Sequence, residues 1–427
     1  MRGAAALGVG SMVGAGIFAL LGVAAAQAGS AVWLSFLAAG IIALLTGHSF
    51  AQLGVRYPSR GGVVEYLVRA YGEGRFSGAC SILFYIAQLI GMSMISLTFG
   101  KFTAKLIGIG DVLLWERLLA SGLILGLTAL NLIGSGFVTK VQGKIVLANL
   151  VLLAGFTLAL YTFAQGARLS VENWPPATPI LGSLALTFFA FTGFAVVSNA
   201  AEDMENPARD LPRAMYMAII IVIVLYVGLA LAIVGAVDEQ ELTSSGATLV
   251  AVAARSCFGE IGFTVLLISA IISTVTCLNG GLFGVTGVTF TLAVHGELPS
   301  RFKRKIRAST GGLTISALLS LLMVNFLSLT VVASLGSATS LLVYTLVNFG
   351  ALRLVAQKGV HRVLIAMSVV ACLFAIMVWI LYTLKTSPHA FLIFLSFLVI
   401  SFVTEGLLQR YHGRRIRARN DQDARAA

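Results

Sequence analysis

Apolar runs of membrane-spanning length recur along this chain from end to end, separated by short polar segments. A helix that crosses a bilayer needs about 20 consecutive apolar residues. The pattern predicts twelve such helices, at roughly 5–28, 31–55, 77–100, 117–138, 141–164, 180–201, 214–236, 260–294, 312–329, 331–352, 362–384 and 388–408. The run at 260–294 is longer than a simple span requires, so it is expected to tilt strongly or to continue past the bilayer. No polar segment is long enough for a large soluble domain.

Two of the predicted helices carry short glycine-bearing interruptions. The first is Gly14-Ala15-Gly16-Ile17-Phe18, inside the run from Leu7 to Ala28. The second is Phe191-Thr192-Gly193-Phe194, inside the run from Ile180 to Ala201. A membrane interior offers no water to broken backbone hydrogen bonds, so irregular backbone persists only where it is buried in protein or lines a cavity. Paired interruptions at corresponding places in two halves point to the binding site of a secondary transporter. Five spans separate the two breaks. Five is odd, so the second set must enter the membrane from the opposite side, as an inverted-topology repeat. The chain therefore divides into a ten-span core over 1–355, two additional spans over 356–410 and a basic cytoplasmic tail at 411–427. Within the core, repeat 1 covers about 1–165 and repeat 2 about 179–355.

Composition agrees with a polytopic membrane protein: 58% of residues are hydrophobic and only 11% are charged. Soluble domains average about 25% charged residues. The net charge of +12 would otherwise suggest a nucleic-acid partner, but most of the 29 Lys and Arg residues fall in alternate loops. Placing those loops in the cytoplasm satisfies the positive-inside rule, with both termini cytoplasmic in a multi-pass cell-membrane protein. The charge then faces anionic lipid, and no nucleic-acid partner is expected. The first apolar run is too long for a signal peptide. Cys80, Cys257, Cys277 and Cys372 are scattered, so neither a disulfide framework nor a metal site is indicated.

If the first helix opens near Val13 to Gly16, the half that follows presents free N–H groups and a positive dipole end, which suit a carboxylate. The half that precedes it ends in free carbonyls around Ser11 and Met12, which suit an ammonium group or a cation. The glycines serve either this ligand approach or simple close packing of helices, for which Gly10-x-x-x-Gly14 has the right spacing. After the second break comes the polar run Asn199-Ala200-Ala201-Glu202-Asp203-Met204-Glu205-Asn206-Pro207. Glu202 and Asp203 form either a solvated helix end or a gating pair with a basic loop residue such as Arg56 or Arg213.

Gly14-x-Gly16-Ile17-Phe18, Phe191-x-Gly193-Phe194 and Ala201-Glu202-Asp203-x-x-Asn206-Pro207-x-Arg209-Asp210-x-Pro212 resemble motifs of the amino acid–polyamine–organocation superfamily of transporters. Tyr57-Pro58-Ser59-Arg60-Gly61-Gly62 and Gly296-Glu297-Leu298-Pro299 resemble two of its loop motifs. The likeness covers roughly residues 3–355 and is greatest to the cationic amino acid transporter branch and its bacterial relatives. The resemblance implies an all-α, LeuT-type fold of five plus five inverted spans. It also implies transport of an amino acid by alternating access, without enzymatic chemistry. It places substrate carboxylate contacts on the amides of Gly14, Ala15 and Gly16, and amino-group contacts on carbonyls near Ser11, Met12, Phe188 and Phe191. Phe191, beside Gly193, becomes the aromatic that covers the substrate; a core phenylalanine is the alternative.

Two departures from the family pattern bear on substrate and coupling. Relatives often carry an acidic residue after Gly-Phe in the sixth span; here it is Ala195, which argues for neutral amino acids over lysine or arginine. Many proton-coupled relatives carry a lysine in the fifth span where this chain has Asn149, with Lys144 nearby at the end of the span. The remaining coupling candidates are Ser273 and Thr274, whose hydroxyls suit Na⁺ or simply bond back to their own helix. His48 is either a packed polar group or a carrier of H⁺. Gln88 is a single polar group of the third span, for which a packed role is expected. No cofactor is expected, and no metalloprotease, nucleophile-elbow or P-loop signature is present. An exchanger, an amine or polyamine transporter, and a transporter-like sensor without flux remain the alternatives.

Overall fold

The computed structural model describes residues 1–59, 61–109, 112–133, 136–294, 298–306, 309–355 and 360–412. Arg60, Gly296, Glu297, the chain beyond 412 and the side chains of Ala15 and Asp203 lie outside that description.

The chain is almost entirely helical, as expected when backbone polar groups must find partners within their own segment. The first apolar run forms α1 (Arg2–Val13) and α2 (Ala15–Ala28), separated at Gly14; a turn at Gly29 leads to α3 (Val32–Arg56). A short α4 (Val63–Tyr71) precedes three long helices, α5 (Arg75–Leu106), α6 (Leu113–Ile133) and α7 (Gly136–Leu160). The second interrupted run comprises α8 (Ala177–Phe189), a 3₁₀ stretch at Thr192–Ala195 and the single turn of α9 (Val196–Asn199). Next come α10 (Pro207–Ala236), α11 (Glu239–Ser244) and α12 (Leu249–Val294). The chain closes with α13 (Gly311–Phe326), α14 (Leu329–Leu354), α15 (Val360–Thr386) and α16 (Pro388–His412). A two-residue pair of strands, β1 (Lys305–Ile306) and β2 (Ser309–Thr310), leads into α13.

Among the described residues, ten helical stretches are long and apolar enough to cross a membrane. The first, Gly3–Arg56, takes in α1, α2 and α3, and α13 is a shorter apolar helix. The over-long run at 260–294 is explained locally. Gly259 leaves helical geometry at φ 66°, so α12 is an arm from Leu249 joined at a kink to a long helix. Pro207 starts α10, where its missing N–H costs nothing, and Ser328 caps α14 by accepting from the Val331 amide at 3.4 Å.

The interior holds α5, α8 and α14, each largely buried, whereas α6 and α16 turn most of their apolar side chains outward. Side chains such as Phe326, Ile133 and Val370 are 65–78% exposed, a surface suited to lipid. The packing pairs are orderly: α3 lies on α10, α5 on α12, α2 on α8 and α1 on α9. α15 is tied to this core by a buried polar seam. Thr46 Oγ1 and Cys372 Sγ are 3.4 Å apart, Ser49 and Ser368 hydroxyls 3.2 Å, and Asn348 donates to Thr46 at 3.3 Å.

Glycines let the backbones approach at several crossings. Gly22 of α2 lies against the backbone of Gly246, and a Cβ there would also stand 2.9 Å from Leu249 Cβ. Backbone cannot rotate away as a side chain can. Gly22→Val is therefore expected to cost about 1–3 kcal/mol by overpacking, or to block folding. The check is thermal stability in detergent by size-exclusion chromatography, with the surface variant Gly126→Ala, which is exposed and meets no atom within 4 Å, as the tolerated control.

Candidate functional site

The two interruptions differ in kind. In the first, one residue leaves helical geometry: Gly14, with φ −64° and ψ −110°. α2 then begins with no side-chain cap at its N-terminus, which carries the positive end of its dipole. In the second, the backbone tightens from α to 3₁₀ geometry. The amides of Ala190, Phe191 and Phe194 donate to the carbonyls of Thr187, Phe188 and Phe191, each three residues back, at 3.0–3.1 Å.

The interruptions dock on each other through glycine. A Cβ on Gly193 would stand 2.6 Å from the carbonyl of Ser11 and 2.8 Å from the Met12 nitrogen. Reciprocally, a Cβ on Gly16 would stand 3.0 Å from the carbonyl oxygen of Ala190. Gly14 instead faces α12, where a Cβ would meet Cys277 Cβ at 2.5 Å. Gly10 faces Val146 of α7. Gly10, Gly14, Gly16 and Gly193 each mark a close approach of neighbouring helices.

Two tyrosines donate to backbone carbonyls at the breaks. Tyr226 of α10 donates to the Met12 carbonyl at 2.6 Å, and Tyr344 of α14 donates to the Thr192 carbonyl at 2.8 Å. The thiol of Cys277 lies 3.8 Å from the Ser11 carbonyl. Tyr344 also closes an aromatic triangle with Phe50 and Phe194, at centroid separations of 5.0–5.4 Å. Nothing in the sequence singled out Tyr226 or Tyr344. The one available signal is a hydroxylated aromatic within an otherwise aliphatic span.

A cavity of about 150 Å³ opens between the breaks and α5, α12 and α14. Ser11, Met12 and Gly16 border it on one side, with Ala190, Gly193 and Ala195 from the second break. Its remaining polar side chains are Gln88, Thr192, Asn199, Cys277, Ser340 and Tyr344, and none of its lining residues is charged. Val13, Gly14, Phe188 and Phe191 lie outside the lining. Phe188 is fully buried against Tyr344, 6.2 Å between centroids. Phe191 is fully buried between Tyr226, 5.1 Å away, and Gly40 of α3. Glu202 sits in the 3₁₀ turn Ala201–Asp203 that ends this element.

The coupling candidates are dispersed. Asn149 is buried on α7, where its carbonyl oxygen accepts from Ser269 of α12. Ser273 is buried with its backbone carbonyl 3.7 Å from the Gly14 Cβ position, and Thr274 donates to the Ile271 carbonyl at 2.8 Å. Lys144 is exposed. His48 lies away from the cavity: its Nδ1 is hydrogen-bonded to the Tyr216 hydroxyl and its Nε2 faces His361 Nδ1 at 3.2 Å. Tyr216 and His361 were not foreseen because they come from α10 and α15, distant in sequence from His48.

The tyrosine contacts generate a prediction. Tyr226→Phe removes one donor from the Met12 carbonyl, a loss of about 0.5–1.5 kcal/mol. Tyr344→Phe removes one from the Thr192 carbonyl. Each variant is expected to fold with a lower melting temperature and to bind substrate less tightly. Unchanged melting and affinity in both would mean that the breaks do not rely on these hydroxyls.

The amino acid permease family profile matches residues 1–404. The chain is 31% identical over 414 residues to the inner membrane transport protein YbaT of Escherichia coli, covering 95% of this chain and 94% of that protein. It is 29% identical to the serine/threonine exchanger SteT of Bacillus subtilis, over 68% of this chain and 67% of that protein. It is 30% identical to cationic amino acid transporter 9 of Arabidopsis thaliana, over 70% of this chain and 55% of that protein. With an uncharged cavity between two interrupted helices and this match along its length, the chain belongs to the amino acid permease family of membrane transporters, within the amino acid–polyamine–organocation superfamily.

Proposed function

We propose that this permease carries small neutral amino acids across the cell membrane by alternating access, as an exchanger. The observation that carries the substrate class is the cavity lining, which takes in residues of both interrupted helices and neutral polar groups but, among the described residues, no charged side chain. A zwitterion is matched at both ends of its main chain by these two helix ends. A cationic side chain would have no counter-charge, and Ala195 borders the cavity where an acidic residue would supply one. The similar protein SteT is named a serine/threonine exchanger, which agrees with this class.

Exchange is supported by the state of the coupling candidates. Asn149 does not titrate, Lys144 is exposed, and His48 is bonded to Tyr216 and His361 rather than to cavity groups. For a Na⁺ site between the first break and α12, the Met12 carbonyl already accepts from Tyr226 and the Thr274 hydroxyl donates to Ile271.

The architecture we infer is twelve spans, ten of them in a five-plus-five inverted repeat, with α15 and α16 added outside. Support comes from the packing pairs. The second span (α3) lies on the seventh (α10), the third (α5) on the eighth (α12), and the halves of the first on those of the sixth. Short α4 and α11 occupy equivalent places, between the second and third spans and between the seventh and eighth. Both termini are cytoplasmic by the positive-inside distribution of Lys and Arg.

Purified protein in liposomes tests the function. Labelled alanine is expected to enter faster when unlabelled alanine, serine or leucine is trapped inside, with arginine and lysine at least about tenfold weaker as competitors. Arginine outcompeting alanine would refute the neutral class. Strong accumulation driven by a pH gradient alone, retained in His48→Gln, Lys144→Met and Asn149→Ala, would refute the exchange mode. Single cysteines at Ser300 and at the C-terminus, in a background with the native cysteines replaced, are expected to react with impermeant reagents only from the cytoplasmic face.

A further inference from the structure

The cavity holds one polar side chain whose placement the transport reading leaves unused. Gln88 projects from α5, a helix otherwise buried through that stretch. Along α5, Gln88, Gly91 and Ile95 share one face and all border the cavity. That face is apolar apart from the Gln88 amide.

Three other polar groups of the lining are already engaged. Ser11 donates to the Leu7 carbonyl at 2.8 Å, Thr192 to the Phe189 carbonyl at 2.8 Å and Tyr344 to the Thr192 carbonyl at 2.8 Å. Asn199 lies beside Gly62, toward the loop before α4. Gln88 makes no side-chain hydrogen bond among the described residues, although its amide holds two donors and an acceptor. An amide inside a largely apolar cavity needs a partner, and leaving it without one is costly.

Position decides which part of a substrate it meets. The groups that suit the main chain, at Gly16 and at the carbonyls of the breaks, belong to the two interrupted helices. Gln88 belongs to α5, which packs chiefly on α12, α6 and α14 and has few contacts with α2. A substrate whose main chain is held by the breaks has its side chain left to meet the other lining elements, α5 among them.

We propose that Gln88 is a specificity-determining residue that hydrogen-bonds a hydroxyl or amide on the substrate side chain. The transporter then prefers polar neutral amino acids to apolar ones of the same shape. This rests on the neutral amino acid reading above. Side-chain recognition is favoured because an amide on an element apart from the breaks discriminates between substrates only through what differs among them.

Isosteric pairs isolate this contribution: threonine against valine, and asparagine against leucine. Competition against labelled alanine exchange in proteoliposomes is measured for the wild type, Gln88→Met and Gln88→Leu. The wild type is expected to favour the polar member of each pair by about tenfold, and both variants to bring the ratio close to one. Two variants guard against one failing to fold. A wild-type ratio near one, or a ratio unchanged in the variants, overturns the proposal. Equal weakening of alanine and all competitors also overturns it, since Gln88 would then hold the main chain. A wild type that exchanges no amino acid at all overturns the functional reading as well, which separates the two failures.

Discussion

The docking of one interrupted helix on another is the constraint on which this structure turns. Gly193 sits against the Ser11–Met12 backbone, and Gly16 sits against Ala190. Neither contact has room for a side chain, so the two breaks fix one another's depth and register. A break in a membrane helix leaves carbonyls and amides that neither lipid nor water can satisfy. The protein meets part of that need with Tyr226 and Tyr344, contributed by α10 and α14. The start of α2 has no side-chain cap, which leaves a positive helix end of the kind that suits a carboxylate.

From that core the other elements take their roles. α12 closes the side of the first break through Cys277 and Ser273, where Gly14 admits close approach. α5 and α14 complete the cavity walls, and α3 buries Phe191 and anchors Phe194 through Phe50. The outer helices contribute apolar surface and little to the cavity. α15 is an exception, since its polar seam with α3 and α14 includes the His48–His361 contact. Buried polar contacts specify geometry more than they add stability, and here they set how α15 sits on the core.

Helix locations, the two breaks and the family were legible in the sequence, because each is written locally: in hydropathy, in glycine beside aromatics, and in proline-bearing polar runs. Ser11, Met12, Gly16, Gly193 and Ala195 were named from those signals, and the fold gathers them at one cavity. Phe188 and Phe191 were named from the same motif, yet the fold turns both into the aromatic interior beside Tyr344 and Tyr226. Helical phase explains the difference. A motif gives a position along the axis, but a tightening from α to 3₁₀ geometry rotates each following residue by an amount that only the packed structure defines.

By itself the sequence determined that this chain is a membrane protein of many helices, interrupted twice, with no charged residue beside its second glycine break. Those properties depend on the residue and its near neighbours. Tertiary structure alone decided that Tyr226 and Tyr344 would serve carbonyls of other helices, that His48 would pair with Tyr216 and His361, and that Gln88 would face the cavity. Each of these joins helices far apart in the chain. A polar side chain in an apolar span carries no local mark of its partner, because that partner is set by which helix faces pack together.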